Sequence, residues 1–186
     1  IFIAVSSGLK EKCVYQKEIN GNNLFSFGTF FSNKTFDENI IFEDIDVFAF
    51  SQETTKEIYG HYAFVMSIAN SVRVVTDPVG VINVYYAKSD EGFCIGNDLV
   101  LVSGLSGNNK LLKEGVQQFV LNESTFCGST IFSNTYRLNV GFELIVDEDG
   151  VREKVIYDLE PEYIDFDCYV GRIDKYFKAL SNYKGR

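Results

Sequence analysis

Between Gly60 and Leu105 the short apolar runs HYAFVMSI, VRVVT, VINVYYA, GFCIG and LVLV alternate with polar breaks at Asn70-Ser71, Asp77-Pro78-Val79-Gly80, Asp90-Glu91-Gly92 and Asn97-Asp98. Runs this short, rich in Val, Ile, Tyr and Phe and bounded by turn formers, predict a meander of β-strands. Pro78 presets φ for the second position of a reversal, and Gly80 accepts the positive φ that releases the chain into the next strand.

Upstream, Ile1–Val5 reads as a strand ending at Ser6-Ser7-Gly8, followed by CVYQKEI as its hairpin partner. Asn20-Gly21-Asn22-Asn23 marks a turn into LFSFGTFF, where Phe25, Phe27 and Thr29 share one face and Leu24, Ser26 and Phe30 the other. Gly28 interrupts that strand and is expected to mark a bulge. In residues 32–59 the apolar Ile40, Ile41, Ile45, Phe48 and Ala49 fit a helical stripe, yet Val47–Phe50 also fits a strand, so both readings stay open.

Downstream, Asn108 and Asn109 offer a helix cap before KLLKEGVQQFVL, with Leu112, Val116, Phe119 and Val120 as its apolar stripe and Gly115 costing it about 1 kcal/mol. FELIV and KVIYDL flank Asp147-Glu148-Asp149-Gly150 as a hairpin. In the last segment Phe166, Val170, Ile173, Phe177 and Leu180 lie at alternating spacings of four and three, one face of an amphipathic helix that must pack on something. Many strands, a helix, more strands and a terminal helix make the class α+β.

The 186 residues, 46% of them hydrophobic, fit one globular domain and argue against disorder. A formal net charge of -9 disfavours nucleic acid and anionic membrane surfaces as partners. No apolar run approaches the roughly 20 residues of a membrane span, and the first residues are too short for a signal-peptide core, so a soluble, cytoplasmic protein is expected. Cys13, Cys94, Cys127 and Cys168 are widely spaced without a CxxC pair, and read as buried free thiols rather than a zinc site or disulfide framework.

Each candidate chemical group has a plainer explanation. Ser103-Gly104-Leu105-Ser106-Gly107 superficially resembles a phosphate loop but lacks the Lys or Asp-Ser that would follow. His61 is the single histidine and sits within a strand signal, as a structural residue. Cys127 has no base or cation nearby in sequence to activate it as a nucleophile. The acids Asp37, Glu38, Glu43, Asp44 and Asp46 lack the ligand spacing of a calcium loop and read as a solvated face. The sequons at Asn33 and Asn122 lack a secretory signal.

In order along the chain, Gly60-His-Tyr-Ala-Phe64, Thr76-Asp-Pro-Val-Gly80, Val84-Tyr-Tyr-Ala87, Phe93-Cys-Ile-Gly-Asn97 and then Thr130-Ile-Phe132 with Arg137-Leu138, Gly141 and Leu144 resemble the motif series of class II glutamine amidotransferase domains. Tyr157 falls near that family's aromatic after the hairpin. These N-terminal-nucleophile hydrolase domains begin asparagine synthetases and their β-lactam synthetase and lasso-peptide cyclase relatives. The resemblance covers roughly residues 60–160. It implies a four-layer αββα sandwich with two antiparallel sheets over residues 1–160, and a helix over 161–186 leading to, or docking on, a synthetase domain.

The departures from that pattern bear on activity. The family's glutaminase uses a terminal Cys whose own amine serves as base, whereas this sequence opens Ile1-Phe2-Ile3-Ala4-Val5. Of the family's N-G-E oxyanion segment, Gly28 in Phe27-Gly28-Thr29 is the one remnant. Thr76 and Asn97 replace the Arg and Glu of the central motifs, and the residues that clamp the glutamine α-carboxylate and amine have no counterpart in 1–59. The resemblance thus implies a domain without glutaminase activity, with no catalytic, cofactor-binding or metal-binding residues of its own beyond the Gly28 remnant. ATP and Mg would bind in an ATP-pyrophosphatase-type synthetase domain, in the same gene or a separate subunit, and a homodimer is compatible. Two alternatives stand beside it: an active glutaminase whose Cys precedes Ile1, and a stand-alone protein- or peptide-binding module.

Overall fold

Ile58–Ile68 is the strand that two hydrophobic clusters share. Tyr62, Phe64 and Met66 point to one side and Ala63 and Val65 to the other, following the two-residue period of a strand. The computed structural model describes residues 14–19, 21–32, 51–90, 92–156 and 165–182. The expected first strand and the undecided stretch fall mostly outside them, as do the acids at 37–46, Cys13, Asn33 and Tyr157.

Nine strands and four helices are described: β1 Val14–Ile19, β2 Asn22–Ser32, α1 Gln52–Glu57, β3 Ile58–Ile68, β4 Ser71–Thr76, β5 Tyr85–Ser89, β6 Gly92–Gly96, α2 Leu99–Leu105, α3 Lys113–Asn122, β7 Thr135–Arg137, β8 Phe142–Asp147, β9 Gly150–Val155 and α4 Phe166–Asn182. They form a six-stranded sheet, β1-β2-β3-β4-β8-β9, and a three-stranded sheet, β6-β5-β7, with every pairing antiparallel. The class is α+β with two antiparallel sheets, as expected.

One core lies between the sheets. Ala63, Val74 and Leu144 of the large sheet meet Tyr86 and Ile95 of the small one, with Val84 and Leu138 closing the ends. The second core covers the opposite face of the large sheet, where Leu24, Phe30, Tyr62, Phe64 and Met66 are almost fully buried. There Tyr62 stacks on Phe64 at 4.5 Å, and Phe30 meets Phe64 edge-on at 5.1 Å. Burying each such ring stabilises by about 1.5–3 kcal/mol, and each well-oriented ring pair adds about 0.5–1.5 kcal/mol. α2 packs on the small sheet, Val102 against Gly96.

Three expected elements differ. LVLV is the start of helix α2 rather than a strand: Asp98 caps it by accepting the Leu101 N–H at 2.9 Å, and short apolar runs do not distinguish helix from strand by themselves. Neither Asn108 nor Asn109 caps α3. The Asn108 carboxamide donates instead to the Lys88 carbonyl and Ser106 Oγ, while Leu111 pairs with Phe132 as an isolated bridge, so the helix begins at Lys113 with no side-chain cap. Phe119 and Val120 of its expected stripe are exposed, and the buried residue is Gly115, because the Thr130 carbonyl would lie 2.1 Å from any Cβ there. Nor is Gly28 a bulge, since the β2–β3 register runs through it unbroken from Asn23↔Ser67 to Ser32↔Ile58.

The hairpins at Asn20–Asn23 and Asp147–Gly150 and the terminal helix are present, but the second strand of the later hairpin is Gly150–Val155, which begins within the expected turn and shares only Lys154 and Val155 with KVIYDL. Ile19 faces Asn22, and Gly21 takes φ +78°. No described helix is long and apolar enough to cross a membrane.

Candidate functional site

Gly28 and Gly60 lie on the paired strands β2 and β3, each with backbone of the other strand against its α-carbon. Gly28 pairs with Tyr62 and Gly60 with Phe30. Their φ values are +98° and +109°, a region other residues avoid, and a Cβ would stand 2.1 Å from the His61 carbonyl oxygen or 2.2 Å from that of Thr29. Ile82 Cδ1 lies 2.7 Å from the same Gly28 position. The α-carbon face of Gly28 is therefore closed by backbone and an isoleucine. His61 contributes that carbonyl, and its side chain is exposed on β3.

Outward from Ile82 the surface opens into a cleft of about 640 Å³ at the seam between the sheets. One wall is the segment between β4 and β5, with Val79, Ile82 and Asn83; the other runs from the end of β7 to β8, with Arg137, Asn139 and Val140. The first wall is held by Asp77, a fully buried carboxylate that accepts the N–H groups of Val79 at 3.1 Å and Val81 at 3.2 Å. The turn closes as Gly80 N–H donates to the Asp77 carbonyl, with Pro78 at its second position as expected. The sequence marks Asp77 as a turn residue, and its side-chain role follows from the same position: an Asp before Pro folds its side chain onto the amides beyond.

The second wall is fixed through the small sheet. The Tyr86 hydroxyl donates to Glu153 Oε1 at 3.0 Å, and Asn139 Nδ2 donates to Glu153 Oε2 at 2.9 Å, so one carboxylate of β9 ties β5 to the cleft. Burial, followed by the Glu153 charge and its hydrogen bond, pushes the Tyr86 phenol well above the ordinary tyrosine range. The folded chain then holds this proton more tightly than the unfolded one. Its contribution is complete below the ordinary tyrosine pKa of about 10 and is lost as pH rises beyond it. Tyr86→Phe is expected to flatten the fall in urea midpoint between about pH 9 and about pH 11 relative to the parent; equal slopes would refute this.

Cys127 also lines the cleft; it is free but exposed, not buried as expected, because it stands on a surface turn, and Cys94 and Cys168 are likewise free, the first half-buried and the second exposed. Cys127 occupies the second position of the turn closed by Ser129 N–H to the Phe126 carbonyl, with φ +53°, followed by Gly128 at +72°. Two successive positive φ values make this a turn that favours Asn or Gly there. Cys127→Asn is expected to raise stability by roughly 0.5–1 kcal/mol, read as a higher urea midpoint at unchanged slope.

The remaining sequence candidates are structural. In the Ser103–Gly107 loop the N–H groups of Ser106, Gly107 and Asn108 donate to the carbonyls of Val102, Gly104 and Ser103, and the hydroxyls of Ser103 and Ser106 donate to carbonyls as well. Those amides are spent on the loop itself, not presented to a phosphate. Thr130 accepts the Phe132 N–H and donates to the Thr135 carbonyl at 2.7 Å, which makes Thr130-Ile-Phe132 a turn staple. Thr76 is buried at the end of β4 and lines the cleft, whereas Asn97 is exposed after β6.

No protein-family model and no curated protein sequence matches this chain. Among solved structures it is similar to the glutamine phosphoribosylpyrophosphate amidotransferase of B. subtilis complexed with ADP and GMP, at 10% identity and TM-score 0.42, covering 79% of this chain and 32% of that one. It is also similar to a structure described as the allosteric regulatory enzyme of purine biosynthesis, at 9% identity and TM-score 0.45, covering 79% and 31%. The chain thus spans about a third of the length of either.

Proposed function

We propose that this chain is an amidotransferase-like domain that does not hydrolyse glutamine and serves a structural or interdomain role in an ATP-dependent amide-forming enzyme of the asparagine synthetase type. The observation that carries the loss of activity is what the motif series lacks. Of the oxyanion segment only Gly28 remains, and Thr76 and Asn97 stand where the resemblance implies an Arg and a Glu, Thr76 buried at the cleft and Asn97 exposed. The ordered motif series supports the family, and three of its pieces have a structural task here: Gly60 against the β2 backbone, Asp77-Pro78-Val79-Gly80 in the cleft wall, Thr130-Ile-Phe132 as a staple.

The interdomain role draws on α4, whose Phe166, Tyr169, Val170, Ile173 and Phe177 are all exposed along one helix. ATP and Mg enter only as ligands of the partner synthetase domain. The Ser103–Gly107 amides are already bonded, and among the described residues no group of His, Cys, Asp and Glu is arranged to hold a metal ion. The test is glutamate release from glutamine by the protein with its natural N-terminus, together with co-purification of a synthetase domain or subunit. No release and a stable complex are expected. Sustained glutamate release would replace this reading with that of an active glutaminase, and absence of any synthetase partner would remove the interdomain role.

A further inference from the structure

We propose that the cleft between the β4–β5 segment and the β7–β8 segment binds a monoanionic carboxylate ligand with an aliphatic body, Arg137 pairing with the carboxylate. The inference does not depend on the amidotransferase-like reading, because it uses only the composition of this cleft.

Arg137 is the one charged side chain among the lining residues, in a chain whose net charge is -9. Its guanidinium donates through Nη2 to the Thr125 carbonyl at 3.2 Å, and no carboxylate of the described residues lies within ion-pair distance of it. A guanidinium has five donors, so this single bond leaves the fork that matches a carboxylate largely unspent.

Asn83 is exposed at the opposite wall, with no hydrogen-bond partner among the described residues, and supplies a second donor. Asn139 is held by Glu153 and keeps its orientation. Beside Thr76, Gly80 and Cys127, the remaining surface is aliphatic or aromatic: Val79, Ile82, Leu138, Val140 and Phe142. Val79 is 74% and Val140 39% exposed, so apolar area at the mouth stands in water until covered.

Charge selects the anion. One cation matches one negative charge, while the amides of Val79, Gly80 and Val81, which could have formed an anion nest for phosphate, are already bonded to Asp77. The acidic chain as a whole repels polyanions. The volume, about 640 Å³, suits a small ligand. A carboxylate beside a branched aliphatic group meets both halves of the lining, and it has two sources: a free small acid or the C-terminus of a peptide.

The full chain is titrated by calorimetry with N-acetyl-leucine and with the peptide acetyl-Ala-Ala-Leu, each as free acid and as amide, while the alkylation rate of Cys127 is followed by mass spectrometry. Saturable binding of an acid is expected, with the matching amide weaker by roughly tenfold or more and Cys127 alkylation slowed on saturation. Tighter binding of the peptide assigns the site to chain termini, and equal binding to small acids. Arg137→Met is expected to weaken the acid to the level of its amide. Because Arg137 also braces Thr125, Val79→Glu, at a highly exposed position, provides the second variant and is expected to do the same by like-charge repulsion. Absence of saturable binding by both acids, equal affinity for acid and amide, or indifference to both variants overturns the proposal.

Discussion

Gly28→Ala is expected to remove a large share of the protein's stability. The new Cβ would stand 2.1 Å from the His61 carbonyl oxygen and 2.7 Å from Ile82 Cδ1, at a φ of +98°. An L-residue held in such backbone costs on the order of 1–3 kcal/mol, and forcing apart two paired strands adds about 1–3 kcal/mol more. The sum approaches the roughly 5–15 kcal/mol that separates a folded domain from its unfolded chain. Gly21→Ala supplies the comparison, because Gly21 has φ +78° but nothing within 4 Å of its missing Cβ. It should lose only the backbone component, about 1 kcal/mol. Urea midpoints of the two variants measure the difference. Equal losses would show that contact at Gly28 is unimportant.

The second large effect lies at β4 and β8. Glu143 is 1% exposed, its carboxylate paired with the Arg73 guanidinium on the neighbouring strand, where Arg73 stands opposite Ile145. Arg73→Met removes the cation and leaves a buried carboxylate without it, which typically costs about 3–5 kcal/mol. Glu143→Leu in the same chain removes the stranded charge, and the double variant is expected to recover most of the loss, since an apolar pair in this place avoids desolvating two ions. The measurement is the urea midpoint of both single variants and the double. A double variant as unstable as Arg73→Met alone would mean that Arg73 acts through its packing or its other contacts rather than through Glu143.

The strands were readable where both faces of the large sheet had work to do. Tyr62, Phe64 and Met66 alternate with Ala63 and Val65, and the turn residues between β3, β4 and β5 fall where the periodicity stops. LVLV misled because a four-residue apolar run has no period of its own, and the Asp98 side chain settled the matter by capping a helix. Asn108 misled in the opposite direction. Its carboxamide found the Lys88 carbonyl, twenty residues away in sequence, a competitor visible only after folding.

The candidate site was legible only in its pieces. Gly28 and the Asp77–Gly80 turn stood out locally, but that Ile82 closes over one and extends from the other depends on packing between segments more than fifty residues apart. Arg137 belongs to the motif series, but neither it nor Asn139 two residues on carries a local pattern that points to ligand chemistry.

What the sequence by itself determined was the class of the molecule: alternating strands, turns set by Pro78, Gly80, Gly21 and Gly150, a terminal amphipathic helix, and an acidic surface. These follow from local sterics and two- or four-residue periods, which need no distant partner to be expressed. The tertiary structure alone decided that Gly28 is sealed, that Glu153 joins Tyr86 to Asn139, and that Arg137 faces a cleft. The physical reason is that hydrogen bonds, charge pairing and steric exclusion act through space over a few ångströms, and sequence separation does not encode that distance.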